Sequence, residues 1–228
     1  CYRHGLFPSE FIQELGLLPT EYLYFYYFPE TAYKNTQQSG QSRGQAIAGM
    51  NERLFRKLAQ APESQLVDIY EDYLRERNAS YFSIEATAGE RRRENQELYS
   101  EFSGYERIAV LLLQALNSDQ PSLIPLTVRN GRALTDLEAD DAVELPCQVS
   151  SSGVQVPTVG HAPEAVRALL LRVKEYERLT VDAAIGHSWK AAVAALAKNP
   201  LVGQAEIAQQ LLSEYVQAFG QQMSLEAA

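Results

Sequence analysis

The sequence predicts an α+β domain, mostly helical, with a small antiparallel sheet between about residues 120 and 160. Three observations carry this reading. Apolar residues recur three and four apart on both sides of that segment, as at Ile47, Met50, Leu54 and Leu58. Between them lie short runs bounded by turn residues, 122–128, 142–149 and 154–159. The order is helices, then strands, then helices, without strand–helix alternation and without a repeat of fixed period.

The elements follow in order. Residues 8–15 read as a short helix with a proline early and Gly16 as its stop. Next comes the densest aromatic stretch of the chain, 19–29, with four tyrosines and two phenylalanines between Pro19 and Pro29. Pro19 interrupts the preceding helix, and Thr20 can cap a new one over 20–28. That helix would put Tyr22 with Tyr26 and Leu23 with Tyr27 on shared faces. Pro29-Glu30 opens a further helix to about Gln38, and 37–44 is a polar turn. Ser42 caps a helix running to about Ala61. Pro62-Glu63 begins another, to about Arg77, with Leu66, Ile69, Tyr70, Tyr73 and Leu74 as its buried stripe. Residues 90–94 form a charge run, expected to be solvated. The helix over 105–117 is apolar almost all round and is expected to be central and buried. Asn130-Gly131 is the strongest short turn signal. Prolines within the strands point to sheet edges or bulges. A long amphipathic helix follows from Pro163. A short alanine-rich one spans 189–198. The last spans 205–219, with Ile207, Leu211, Leu212, Tyr215 and Phe219 inside.

Composition narrows the function classes. With 228 residues, 46% of them hydrophobic, the chain is long enough for one large core. A net charge of −9 and no basic stripe argue against nucleic-acid binding. The longest apolar run, 108–113, is too short to span a bilayer. Two widely spaced cysteines, Cys1 and Cys147, make no disulfide framework, so a cytoplasmic setting is the expectation.

No nucleophile with its base is apparent, and there is no HExxH, CxxC or glycine-rich phosphate loop. The histidines, His4, His161 and His187, lie far apart; the latter two are expected in turns or at the surface. Cys1 and His4 have a ligand-like spacing, but two donors at a terminus fall short of a metal site. The residues alone leave open whether any phenol of the aromatic stretch is chemically active or whether all are core.

A series of segments does carry a resemblance. Leu15-Gly16-x-x-Pro19-x-x-Tyr22-Leu23 precedes the aromatic cluster, and Ser42-Arg43 lies about twenty residues beyond Tyr22. Then come Ala79-Ser80-Tyr81-Phe82-Ser83-x-Glu85-Ala86, and Val128-Arg129-Asn130-Gly131 with 140–147. Lys174-x-Tyr176-Glu177-Arg178-Leu179-Thr180 and Asn199-Pro200-Leu201-Val202 complete the set. In order and spacing this resembles the family 4 glycoside hydrolases, NAD- and divalent-metal-dependent 6-phospho-glycosidases. The 6-phospho-β-glucosidase branch fits best.

The resemblance implies the following. The chain, 1–228, is a single C-terminal substrate and oligomerisation domain of lactate-dehydrogenase C-terminal-like fold. The NAD-binding Rossmann half, with the motifs that supply the metal ligands, is not in it, so no cofactor or metal residue is expected here. The whole protein would hydrolyse 6-phospho-glycosides by oxidation and elimination, outside the two-carboxylate scheme of most glycosidases. It would use NAD and a divalent metal, with manganese expected, on a phosphorylated disaccharide or aryl glycoside, as a homo-oligomer. Tyr22 fills the position of the catalytic base, and Arg43 that of the substrate-binding arginine. Phenols titrate near pH 10, so such a base needs a nearby cation to favour the phenolate. A guanidinium suits a phosphate because its paired donors form a fork. The alternatives are a non-catalytic assembly domain or a small-molecule binding module.

Overall fold

A computed structural model describes residues 6–80, 105–220 and 225 of the chain. Cys1, His4, most of the small-aromatic segment after Ser80 and the charge run at 90–94 lie outside the described residues. Backbone contacts group the chain into two units, 1–101 and 102–228.

The first unit is helical. α1 (Ser9–Leu15) ends where Gly16, at φ +67°, returns its N–H to the Ile12 carbonyl at 3.0 Å. Only glycine takes that conformation at little cost, and it stops the helix as expected. The aromatic stretch is not one helix over 20–28. It is a 3-10 turn (Glu21–Leu23), then a single turn of α-helix, α2 (Tyr24–Tyr27). Thr20 is extended and its side chain makes no capping bond, so nothing nucleates a full α-turn there. Phe28 breaks the helix at φ −128°, and Pro29 starts α3 (Pro29–Ser39) in the position where a missing N–H costs nothing. Gly40, again at positive φ, closes α3, so the polar turn is shorter than its composition suggested.

α4 (Arg43–Gln60) begins with a complete capping box. The Ser42 hydroxyl accepts from the Gln45 N–H at 3.3 Å, and the Gln45 side chain accepts from the Ser42 N–H at 2.7 Å. Its apolar stripe buries Met50 and Leu54. A 3-10 turn after Pro62 leads into α5 (Leu66–Ala79), which packs on α4. The Tyr73 hydroxyl donates to the Asn51 side chain at 2.7 Å across that seam. The expected buried stripe of α5 is shallower than periodicity implied. Leu66, Ile69, Tyr73 and Leu74 are half-buried, and Tyr70 is exposed, stacked on Tyr73.

The second unit contains the expected antiparallel sheet, ordered β1 (Ser122–Arg129), β2 (Ala142–Ser150), β3 (Gly153–Gln155). β3 is shorter than its apolar run. Beyond Gln155 the chain leaves the ladder and instead meets the β1–β2 loop, where the Val159 N–H donates to the Ala133 carbonyl. In β1 and β2, Ile124 faces Cys147, Leu126 faces Leu145 and Val128 faces Val143, all on the covered side. Pro125 faces Pro146. Two residues without an N–H can oppose each other only at a non-hydrogen-bonded position, where backbone donors point away from the partner strand. β3 reaches only Gln148 to Ser150, so the gap in β2 at Pro146 falls outside that pairing.

The Asn130-Gly131 signal marks a turn, but the loop it opens runs to Asp141. Asn130, 2% exposed, organises that loop with its side chain. Its Nδ2 donates to the carbonyls of Leu134 and Glu138, both at 3.0 Å, and its oxygen accepts from the Leu134 N–H at 2.8 Å. The loop folds under the sheet and adds Ala133, Leu134 and Leu137 to a core with Val143, Leu145, Cys147 and Ala162.

α7 (Glu164–Ile185) lies against that core through Leu170 and packs on α8 (Trp189–Lys198), which packs on α9 (Ala205–Phe219). Arg178 on α7 forms a fork with Asp141, Nε to Oδ1 at 2.8 Å and Nη2 to Oδ2 at 2.5 Å. Lys174, one turn earlier, donates to the Ala142 carbonyl at 2.5 Å. α9 buries Ala208 and Leu212, but Ile207, Tyr215 and Phe219, expected inside, are exposed. α6 (Tyr105–Leu116) is the larger correction. Ala115 and Leu112 pack with Ile124 and Val149 of the sheet, while Ile108, Val110, Leu111, Leu113 and Leu116 are exposed. A helix apolar all round needs cover on every side, and the sheet supplies one.

The fork gives this unit a pH dependence. The Arg178 hydrogen bonds, and then the Glu138 N–H, hold the Asp141 carboxyl below its ordinary range against the opposing effect of burial. A carboxyl with a lowered folded pKa contributes stability above its unfolded pKa, near 4, and loses it as pH falls through the folded value. Urea midpoints measured between pH 6 and 2.5 are expected to fall on the acid side. In Asp141→Asn that limb should flatten, with a lower midpoint at pH 6.

Candidate active site

The aromatic stretch earns its shape from ring packing. Leu6, Phe7, Tyr24 and Ala32 are buried together, ringed by Phe11, Ile12, Leu23, Phe25, Tyr27 and Phe28. Phe7 stacks on Phe11 at 5.6 Å between centroids, Tyr24 stacks on Phe28 at 5.4 Å, and Phe11 meets Tyr27 at 5.1 Å. Such pairs add to simple area burial and fix the rings against one another. They also sort the phenols. Tyr24 is core. Tyr27 is half-buried, its hydroxyl is covered without a hydrogen-bond partner, and burial pushes its phenol above the ordinary range. A phenol so placed is hard to ionise and is the wrong group for a base. Tyr22, in the 3-10 turn just before this lattice, is 63% exposed. It is the most exposed of the four phenols, Tyr26 being half-buried like Tyr27, and it sits on a short turn anchored by the packed rings that follow.

Arg43, the first residue of α4, sends its guanidinium to the far end of α5. Nη1 donates to the Ser80 carbonyl at 2.9 Å and to its hydroxyl at 2.5 Å, and Nη2 donates to the Arg77 carbonyl at 3.1 Å. The last carbonyls of a helix carry partial negative charge and attract a cation. The structure therefore places Tyr22 on the aromatic lattice and Arg43 at the α4–α5 junction. Sequence reasoning missed Ser80 as a partner of Arg43. Its residue lay in a segment noted for resemblance, but no spacing rule links positions 37 apart.

His161 is at the surface, as expected, but not idle. Its Nδ1 lies 2.8 Å from the Asp136 Oδ1 and 3.1 Å from the Thr135 hydroxyl. The His161 hydrogen bond, then the Ala162 N–H, holds the Asp136 carboxyl below its ordinary range. A hydroxyl, an imidazole and a carboxylate suggest a nucleophile relay. The geometry excludes it, because a relay needs the hydroxyl and the carboxylate on opposite ring nitrogens and here both approach Nδ1. The cluster joins the β1–β2 loop to the start of α7. Among the described residues, no three His, Cys, Asp or Glu side chains come together as a metal site. No helix among them is long and apolar enough to cross a membrane.

The chain has relatives among known proteins. The family model described as "Family 4 glycosyl hydrolase C-terminal domain" matches residues 6–202. A probable 6-phospho-beta-glucosidase of Bacillus subtilis is 24% identical over 217 residues, which is 92% of this chain and 42% of that protein. A 6-phospho-beta-glucosidase of Thermotoga maritima is 26% identical over 93% of this chain and 44% of its own length. A solved structure of the 6-phospho-beta glucosidase from Thermotoga maritima, with NAD and glucose-6-phosphate, superposes with a TM-score of 0.69 at 25% identity. It covers 99% of this chain and 48% of that one. Another, with manganese, NAD+ and glucose-6-phosphate, has a TM-score of 0.67 at 22% identity and covers 98% of this chain and 47% of that one. The chain thus spans under half the length of the curated relatives it matches.

The covered Tyr27 hydroxyl sets a measurable expectation. Removing a buried donor that has no partner relieves a desolvation cost of about 1 kcal/mol or more. Tyr27→Phe should raise the urea midpoint of the chain, where an ordinary loss of packing would lower it.

Proposed function

This chain belongs to the family 4 glycosyl hydrolases, as their C-terminal domain, and on that footing we propose that it is the substrate side of a 6-phospho-β-glucosidase. The observation that carries the proposal is the exposure of Tyr22 against the burial of Tyr24 and of the Tyr27 hydroxyl, at the position that resembles the family's base. Tyr22 takes a proton from the sugar, and Arg43 pairs with its 6-phosphate, the substrate being a phosphorylated disaccharide or an aryl 6-phospho-glycoside.

A Thermotoga maritima 6-phospho-beta glucosidase structure contains manganese and NAD+, which supports the same two cofactors for the whole protein. The described residues of this chain do not form a metal site. In the whole protein both cofactors would be held by residues outside them. The part of this chain is to present one base and one cation on a rigid helical frame, with 1–228 acting as one substrate and oligomerisation domain. The apolar residues that α6 leaves exposed support self-association into a homo-oligomer. A phosphorylated sugar is an intracellular substrate by its charge, since a dianion does not cross a bilayer unaided, and this supports a cytoplasmic location.

Two measurements test the proposal. In the whole protein, Tyr22→Phe is expected to lower kcat on an aryl 6-phospho-β-glucoside by about 10²-fold or more, the scale of a lost general base, without moving the thermal midpoint. A near-wild-type rate removes Tyr22 from the mechanism. The isolated chain, given the same substrate with NAD and manganese, is expected to show no turnover; measurable hydrolysis would show that the 228 residues suffice.

A further inference from the structure

Ser80 is the C-cap of α5 and touches Arg43 with two atoms, its carbonyl and its hydroxyl. The hydroxyl also donates its own hydrogen to the Arg77 carbonyl at 2.7 Å. That single hydrogen is thereby committed, so the oxygen presents its lone pairs to the Arg43 Nη1. Nη2 meets the same Arg77 carbonyl at 3.1 Å. Ser80, Arg77 and the guanidinium are therefore linked by bonds in which each group fixes the direction of the next. Two of the three acceptors are main-chain oxygens that any sequence would provide. The third is the Ser80 hydroxyl, a side-chain acceptor, so the residue at position 80 bears directly on how the guanidinium is turned.

Orientation matters for an arginine that recognises phosphate. Its fork is planar, and paired contact with an anion requires the plane and the oxygens to line up. An arginine on a mobile stem loses rotamer freedom when it binds, and a pre-held one does not. Its stem is also shared with a firm base, since Arg43 is the residue directly after the Ser42 cap of an 18-residue helix.

We propose that Ser80 is a positioning residue for Arg43, holding the guanidinium in the orientation in which it meets the substrate's 6-phosphate. The proposal rests on the reading of Arg43 as the phosphate-binding arginine. Ser80 itself touches no substrate.

The test is steady-state kinetics of the whole protein on an aryl 6-phospho-β-glucoside, for the wild type and for Ser80→Ala, Ser80→Thr and Arg43→Lys. With Ser80→Ala, KM is expected to rise about tenfold, the scale of one charge-assisted hydrogen bond, with kcat within about twofold. Ser80→Thr keeps the hydroxyl and should restore KM to within about twofold, and the affinity for NAD should be the same in all four proteins. An unchanged KM in Ser80→Ala beside a raised KM in Arg43→Lys overturns the role of Ser80 and leaves that of Arg43 standing. An unchanged KM in Arg43→Lys overturns both. Equal losses in kcat and NAD affinity in Ser80→Ala, not restored by Ser80→Thr, would mark Ser80 as support for the helix end alone and also overturn the proposal. If Ser80→Ala does not fold, Ser80→Cys takes its place, being close in size but a much weaker acceptor; a normal KM there is equally fatal. A wild type that turns over no phospho-glycoside sinks the assigned activity, and this proposal with it.

Discussion

The fork between Arg178 and Asp141 sets the geometry of the second unit. Asp141 ends the β1–β2 loop, and its carbonyl takes the Asn130 N–H at 2.7 Å, closing that loop at its root. Its side chain is almost wholly buried and accepts from Arg178 and from the Glu138 N–H. A carboxylate in that position is costly to desolvate unless its lone pairs are filled, and three donors fill them. One residue thus fixes the loop, the start of β2 and the rotation of α7. Lys174 repeats the tie one turn away, and Leu170 enters the core between strands and helix. Breaking one partner of the fork would leave a buried charge, so the arrangement is maintained as a unit.

Much of the fold was legible because it is written in local chemistry. Gly16, Ser42 and Pro29 each mark a helix end where expected, since the residue's own backbone conformation or side chain stops or starts the helix. What was not legible is what lies against an apolar surface. Periodicity names the apolar side of α6 and α9 but not its partner, so residues such as Leu113 and Phe219, apolar and in register, are exposed. The third strand is shorter than its apolar run for a similar reason. Val156 and Val159 have strand propensity, but the partner that takes the Val159 N–H is the loop carbonyl of Ala133 rather than β2.

The candidate site was legible in a narrower sense. Tyr22 and Arg43 came from resemblance, and composition could not set Tyr22 apart from its neighbours. The distinction is three-dimensional. Tyr24 closes a ring lattice, Tyr27 turns its hydroxyl into it, and Tyr22 falls just ahead of it on a turn that Thr20 failed to convert into a helix. Motif residues behaved in the same way. The segments around Asp141 and Arg178 were each recognisable, but nothing in either said that they meet.

The opposed prolines of β1 and β2 carry a consequence for assembly. Pro125 sits mid-way along an eight-residue outer strand, and Pro146 sits where β2 has run past the reach of β3. Each leaves a gap in the row of donors that an incoming strand would need. The sheet is therefore a poor template for its own kind: it resists fibrous stacking and strand exchange between copies. The apolar residues that α6 leaves exposed are thus set beside a sheet whose edges offer an incoming strand an interrupted row of donors.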